Sequence, residues 1–212
     1  GTTAGGALRG VSNWPRSQGL TLRTMLIGQA VSQTHAIFGL LVAFIMMFAL
    51  SDLEPTIVNF AKTLGAGIAV GLGGIGPGIG SGIAGETACL PSPTKPRVDA
   101  LVLRTMLIGQ AVGGSPSIFA LVVGLLIFYM PVSPDEIGLP KAAALAGAGL
   151  AIGIGCLGSG VGCGWPAAQA CAGVARNPKR ATGIMSLMII GQAMAQSPSI
   201  FATVISLILL FR

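Results

Sequence analysis

Five uninterrupted stretches without Asp, Glu, Lys or Arg constrain this chain more than any other feature. They run over residues 24–51, 63–85, 105–134, 142–175 and 181–211. Each exceeds the roughly 20 residues that cross a hydrocarbon core. Inside a bilayer only helices and closed barrels satisfy their backbone groups. A barrel needs alternating segments of about 10 residues, so the stretches predict transmembrane helices. Composition agrees, with 52% hydrophobic and 8% charged residues against about 25% charged in an ordinary soluble domain. Too few charges exist to cover a soluble enzyme. The hydrophobic content excludes disorder.

The connections alternate in character. Three carry basic clusters: Arg9, Arg16 and Arg23; Lys95, Arg97 and Arg104; Arg176, Lys179 and Arg180. The others carry acids, Asp52 and Glu54, then Asp135 and Glu136. The net charge of +6 therefore reads as topology rather than nucleic-acid binding, and places the basic loops in the cytoplasm or its organellar equivalent. Each basic loop holds a proline (Pro15, Pro96 and Pro178), which ends a helix at a tight reversal. The opening GTTAGGALRG lacks the charged-then-apolar order of a signal peptide. The four cysteines, Cys89, Cys156, Cys163 and Cys171, form no CxxC pair, and His35 is the single histidine. No metal site is expected from them.

The chain also repeats itself. TLRTMLIGQAV, LRTMLIGQAVGGSPSIFALVV and MIIGQAMAQSPSIFATVIS place the glycine of a shared GQA at Gly28, Gly109 and Gly191, a period of 81 and then 82 residues. A glycine-rich element precedes two copies, GAGIAVGLGGIGPGIGSGIAG from Gly65 and GAGLAIGIGCLGSGVGCGWPA from Gly147. A phosphate-binding turn needs a preceding strand and a polar opening, whereas these glycines lie inside uncharged spans. They are read as surfaces for close helix packing in a bilayer: Gly71, Gly73, Gly76, Gly78, Gly80 and Gly82 in one copy, Gly153, Gly155, Gly158, Gly160 and Gly162 in the other. The expected fold is all-α and integral to the membrane. It comprises three consecutive helical hairpins over 1–52, 53–134 and 135–212, with most of the first helix missing.

GLGGIGPGIGSGIAG, a polar loop with a basic residue and proline, and MLIGQAV…SIFALVVGLLIFY together resemble the c subunit, or proteolipid, of rotary F- and V-type ATP synthases and ATPases, in its multi-hairpin form. The third unit is nearest, with GAGLAIGIGCLGSGVGCG, the loop ARNP and IIGQAMAQSPSIFATVISLILLF. The resemblance implies a ring with glycine-rich helices inside and second helices outside. H+ or Na+ binds midway along the outer helices. Implied partners are membrane lipid, other c-type proteolipids, a stator a-type subunit and central-stalk subunits. The implied location is a bacterial inner membrane or organellar equivalent.

One departure dominates. The resemblance places an ion-binding glutamate five residues after the GQA glycine, where this chain has Gln33, Gly114 and Gln196. An amide hydrogen-bonds but supplies no charge to neutralise a cation. Around it, Thr34, Ser115 and Ser197 follow directly on the outer helices, and Ser81 and Cys163 align with the family's sodium-coordinating glutamine. These eight positions are the degenerate ion site. Gln29, Gln110 and Gln192 form a second polar row expected to bond across helices. Glu86 lies near a loop end, away from the ion level. Pro116 and Pro198 are expected to free carbonyls and bend their helices. The expected role is a non-catalytic rotor-ring subunit taking part in ion translocation. The alternative is a structural, carboxylate-less spacer. A passive pore ranks last, because the glycine-rich helices offer little polar lining.

Overall fold

The computed structural model describes residues 1–49, 54–90, 96–133 and 138–211. The expected hairpin boundaries at 52/53 and 134/135 lie outside the described residues, as do Asp52, Lys95, Asp135 and Glu136. Among the described residues the chain is helical, without strands. The helices are α1 (Thr2–Asn13), α2 (Gln18–Ala49), α3 (Ile57–Cys89), α4 (Pro96–Gly113), α5 (Ser115–Tyr129), α6 (Leu139–Arg176) and α7 (Ala181–Phe211). Among the described residues five spans are long and apolar enough to cross a membrane: Pro15–Ala49, Ile57–Cys89, Val98–Tyr129, Leu139–Arg176 and Pro178–Phe211. The protein is a multi-pass membrane protein.

Local chemistry sets the ends. Trp14 and Asn177 each precede a proline and take nearly the same backbone shape, φ/ψ of −138/78° and −131/70°. Proline disfavours the helical region for the residue before it. Both then feed one 3₁₀ turn, Pro15–Ser17 or Pro178–Arg180. The first and third basic loops are thus copies in structure as well as in sequence. Thr56 caps α3 by accepting from the Asn59 amide at 3.2 Å. Lys141 Nζ donates to Leu210 O at 3.4 Å, placing a cation at the carbonyl end of α7.

The helices form two layers. α1, α3 and α6 lie side by side, with α3 against α6 as the most extensive contact. Outside them α2 packs on α3, α7 packs on α6, and α5 and α4 lean on α3 and α6 respectively. Glycine explains the closeness of α3 and α6. No glycine among the described residues has positive φ, so glycine supplies space here rather than an unusual backbone shape. An added Cβ at Gly65 would stand 2.7 Å from Leu145 O, and one at Gly153 would stand 2.9 Å from Ile68 O. At Gly76, Gly80 and Gly160 it would run into backbone of the facing helix. Gly73 and Gly155 instead receive Ala120 of α5 and Ala202 of α7, and Gly82 faces Thr2 of α1. Gly162 makes an ordinary contact with Ala195. Gly71, Gly78 and Gly158 have nothing within 4 Å in this chain, so the glycine set divides into packed and open faces.

A buried apolar cluster of Ala66, Val70, Val123, Ile127, Leu145 and Ile152 joins the layers. A second, nearer the basic loops, gathers Val98, Val102, Met106, Cys171 and Val174. Large apolar residues such as Phe44, Phe48, Leu187 and Ile208 remain exposed on α2 and α7. That exposure suits helices whose outer surroundings are lipid or another apolar helix.

Candidate ion-level site

The glutamine row is built first by the helix period. Gln110 and Gln192 sit on buried faces of α4 and α7, 1% and 0% exposed. Gln110 Nε2 donates to Gly28 O of α2 at 3.2 Å and to Ser81 O of α3 at 2.8 Å. Gln192 Nε2 donates to Gly109 O of α4 at 2.7 Å and to Cys163 O of α6 at 3.1 Å. Each amide therefore ties its outer helix to its own inner helix and to the preceding outer helix. Both N–H groups are used, and each Oε1 is buried without a partner.

One turn further along α7, Gln196 Nε2 donates to Val112 O at 2.7 Å. Pro116 explains why that carbonyl is open, because proline at position i cannot bond the carbonyl of i−4. The helix is interrupted here for one residue: α4 ends at Gly113 and α5 begins at Ser115. Pro198, in contrast, lies inside an uninterrupted α7. The preceding residues differ, Gly113-Gly114 against Ala195-Gln196, and glycine weakens a helix where alanine favours it.

The remaining positions divide. Gly114 is buried, and an added Cβ there would meet His35 Cε1 at 2.9 Å. His35 Nδ1 lies 2.7 Å from Ser117 Oγ. Ser117 donates its own proton to Gly114 O at 2.7 Å, so the imidazole Nδ1–H donates to the serine. His35 Nε2 is buried without a partner. Ser81 Oγ donates to Gly78 O at 3.1 Å, and Cys163 Sγ to Gln192 O at 3.5 Å. Thr34 is exposed and donates to Ala30 O at 3.4 Å. Gln33 is exposed on α2, while Ser115 and Ser197 are half-buried. The structure thus brings Gln196, Gln192 and Cys163 together near Gly109 and Val112, but leaves Gln33 and Thr34 apart. Glu86 pairs with Arg9 at 3.1 Å near the loop end.

Two partnerships are only faintly signalled in the sequence. The Val112 carbonyl is signalled by Pro116 alone. The serines Ser117 and Ser199, which donate to Gly114 O and Gln196 O at 2.7 Å, give no signal beyond their repetition.

Comparison with known proteins places this architecture. The family model of the ATP synthase C subunit matches residues 64–127 and again 146–209, together more than half of the chain. The ATP synthase c subunit of Alkaliphilus oremlandii is 41% identical over 69 residues, covering 32% of this chain and 77% of that protein. That of Mesomycoplasma hyopneumoniae strain 7448 is 44% identical over 71 residues, 34% of this chain and 69% of its own length. That of Thermotoga petrophila is 35% identical over 81 residues, 38% of this chain and 95% of its own. Two successive matches, each on a glycine-rich helix followed by a GQA helix, show that the chain belongs to the ATP synthase c-subunit family.

Proposed function

We propose that this chain is a rotor-ring proteolipid of a membrane ATP synthase that fills ring positions without carrying the ion on its own side chains. The observation that carries this reading is the Gln196 amide, donated at 2.7 Å to Val112 O at the position where the family places its carboxylate. A carboxylate binds and releases a proton or sodium ion; an amide committed to a backbone carbonyl does neither. H+ or Na+ then passes on carboxylates outside this chain. The basic loops face the cytoplasm or its organellar equivalent and meet the central stalk. The outer helices pass the a-type stator subunit.

A hydrophobic carbodiimide, which modifies carboxyl groups within membranes, tests this on the native complex. The expected mass spectrum shows this chain unmodified beside a labelled, glutamate-bearing proteolipid. Modification within this chain, at Glu86 for instance, would overturn the reading.

A further inference from the structure

Arg9 finds its anion within the chain, the Glu86 carboxylate. Arg23 of α2 and Arg104 of α4 do not: both are exposed, and neither has a hydrogen bond or ion pair among the described residues. They occupy the same position of the repeat. RSQGLTLRTMLIG and RVDALVLRTMLIG each set an arginine five residues before the GQA glycine and another seven residues before that. The third copy, KRATGIMSLMIIG, has Ser186 in place of the arginine nearer the glycine. Ser186 is exposed and donates its hydroxyl to Thr182 O at 3.0 Å. Gln110 ties α4 to α2 at Gly28 O, so Arg23 and Arg104 stand at one level on neighbouring helices.

Depth in the bilayer decides what can answer these charges. The two spans, Pro15–Ala49 and Val98–Tyr129, are 35 and 32 residues long, about 50 Å of helix against about 30 Å of hydrocarbon. With each span centred, roughly 10 Å at either end lies among headgroups. Arg23 stands eight residues into its span and Arg104 six into its own, about 12 and 9 Å of rise. Both side chains therefore leave the helix where hydrocarbon meets headgroup. Exposed Leu20, Leu22 and Leu26 flank Arg23, and the exposed Trp14 indole marks the same end of α2. An unpaired cation at that depth is costly. A long arginine stem lies along apolar surface and lifts its head toward the interface. The anion waiting there is a lipid phosphodiester, and the guanidinium fork matches phosphate oxygens two at a time.

We propose that Arg23 and Arg104 form a docking surface for anionic phospholipid in the leaflet on the basic-loop side. Each guanidinium holds a headgroup phosphate, Arg16 adds a second cation below Arg23, and an acyl chain lies along the exposed leucines of α2. α7 lacks the site, because Ser186 brings no charge. The contact needs only that the chain spans a bilayer and is independent of the ring reading.

Native mass analysis tests it on the full-length chain, reconstituted in nanodiscs of equal phosphatidylglycerol and phosphatidylcholine and then released. Phosphatidylglycerol should be retained over phosphatidylcholine. Arg23→Gln and Arg104→Gln should each lower that preference about fivefold, the worth of one basic side chain at an anionic surface. Arg9→Gln removes the same charge from a position already paired and should leave the preference unchanged. Ser186→Arg should add one retained phosphatidylglycerol. Excess inorganic phosphate should displace none of it; displacement would reveal a site for free anions and overturn the lipid assignment. Equal retention of the two lipids by the unsubstituted chain overturns the proposal without any variant having to fold. A preference that survives both glutamine substitutions overturns it as well.

Discussion

At the scale of single residues, amide and imidazole hydrogen bonds tie the helices of this chain to one another. Gln110, Gln192 and Gln196 each donate amide N–H to backbone carbonyls on other helices. Gly114 and His35 are a complementary pair: the absent side chain of one is the space of the other. Gly114→Ala should therefore push the His35 ring off Ser117. The expected cost is about 1 kcal/mol, the net worth of one hydrogen bond. In a His35→Ala background the same change should cost close to nothing, leaving a coupling of similar size between the two sites. Equilibrium unfolding of the four chains in mixed micelles measures this. Additive effects would show that the ring and the glycine do not share the space. Gln110 and Gln192 were legible in the sequence because they repeat with the chain's own period; Gln29, the third of that row, makes no cross-helix bond within this chain. The pairing of Gln196 with Val112 was not legible, since it depends on which carbonyl a proline frees on a different helix.

At the scale of elements, glycines that look alike in sequence separate into distinct roles. Gly76, Gly80 and Gly160 hold α3 and α6 backbone to backbone, Gly73 and Gly155 admit alanines from outer helices, and Gly78 faces open space. Spans could be read from uncharged length alone, because a bilayer tolerates little else. Which glycine faces which helix could not, because nearly every turn carries several. Gly80→Ala should cost roughly 1–3 kcal/mol by overpacking against Gly160 backbone. Gly78→Ala should be neutral or slightly stabilising through helix propensity. Thermal unfolding of the purified chain, followed by circular dichroism, compares them. Equal loss in both would remove the distinction between packed and open faces. The proline breaks followed the same logic: Pro116 and Pro198 look equivalent, yet only the copy behind two glycines interrupts its helix.

At the scale of the whole molecule, repetition is the organising fact. The inner helices α1, α3 and α6 share one layer, and the outer helices are tied across both boundaries by the same glutamine-to-glycine bond. That bond is made at both boundaries within the chain, Gln110 to Gly28 O and Gln192 to Gly109 O. The two-layer order is the one the resemblance implied, glycine-rich helices on one side and second helices on the other. Gln196, where the resemblance places a carboxylate, ties α7 to α4 through Val112 O. The central claim is that this chain forms blank positions in a rotor ring. Intact-mass analysis of the gently purified native complex tests it most directly. The account predicts several copies of this chain in one ring, held with catalytic ATP synthase subunits and a glutamate-bearing proteolipid. Recovery of the chain as a monomer, or as a ring without any ATP synthase subunit, would contradict it.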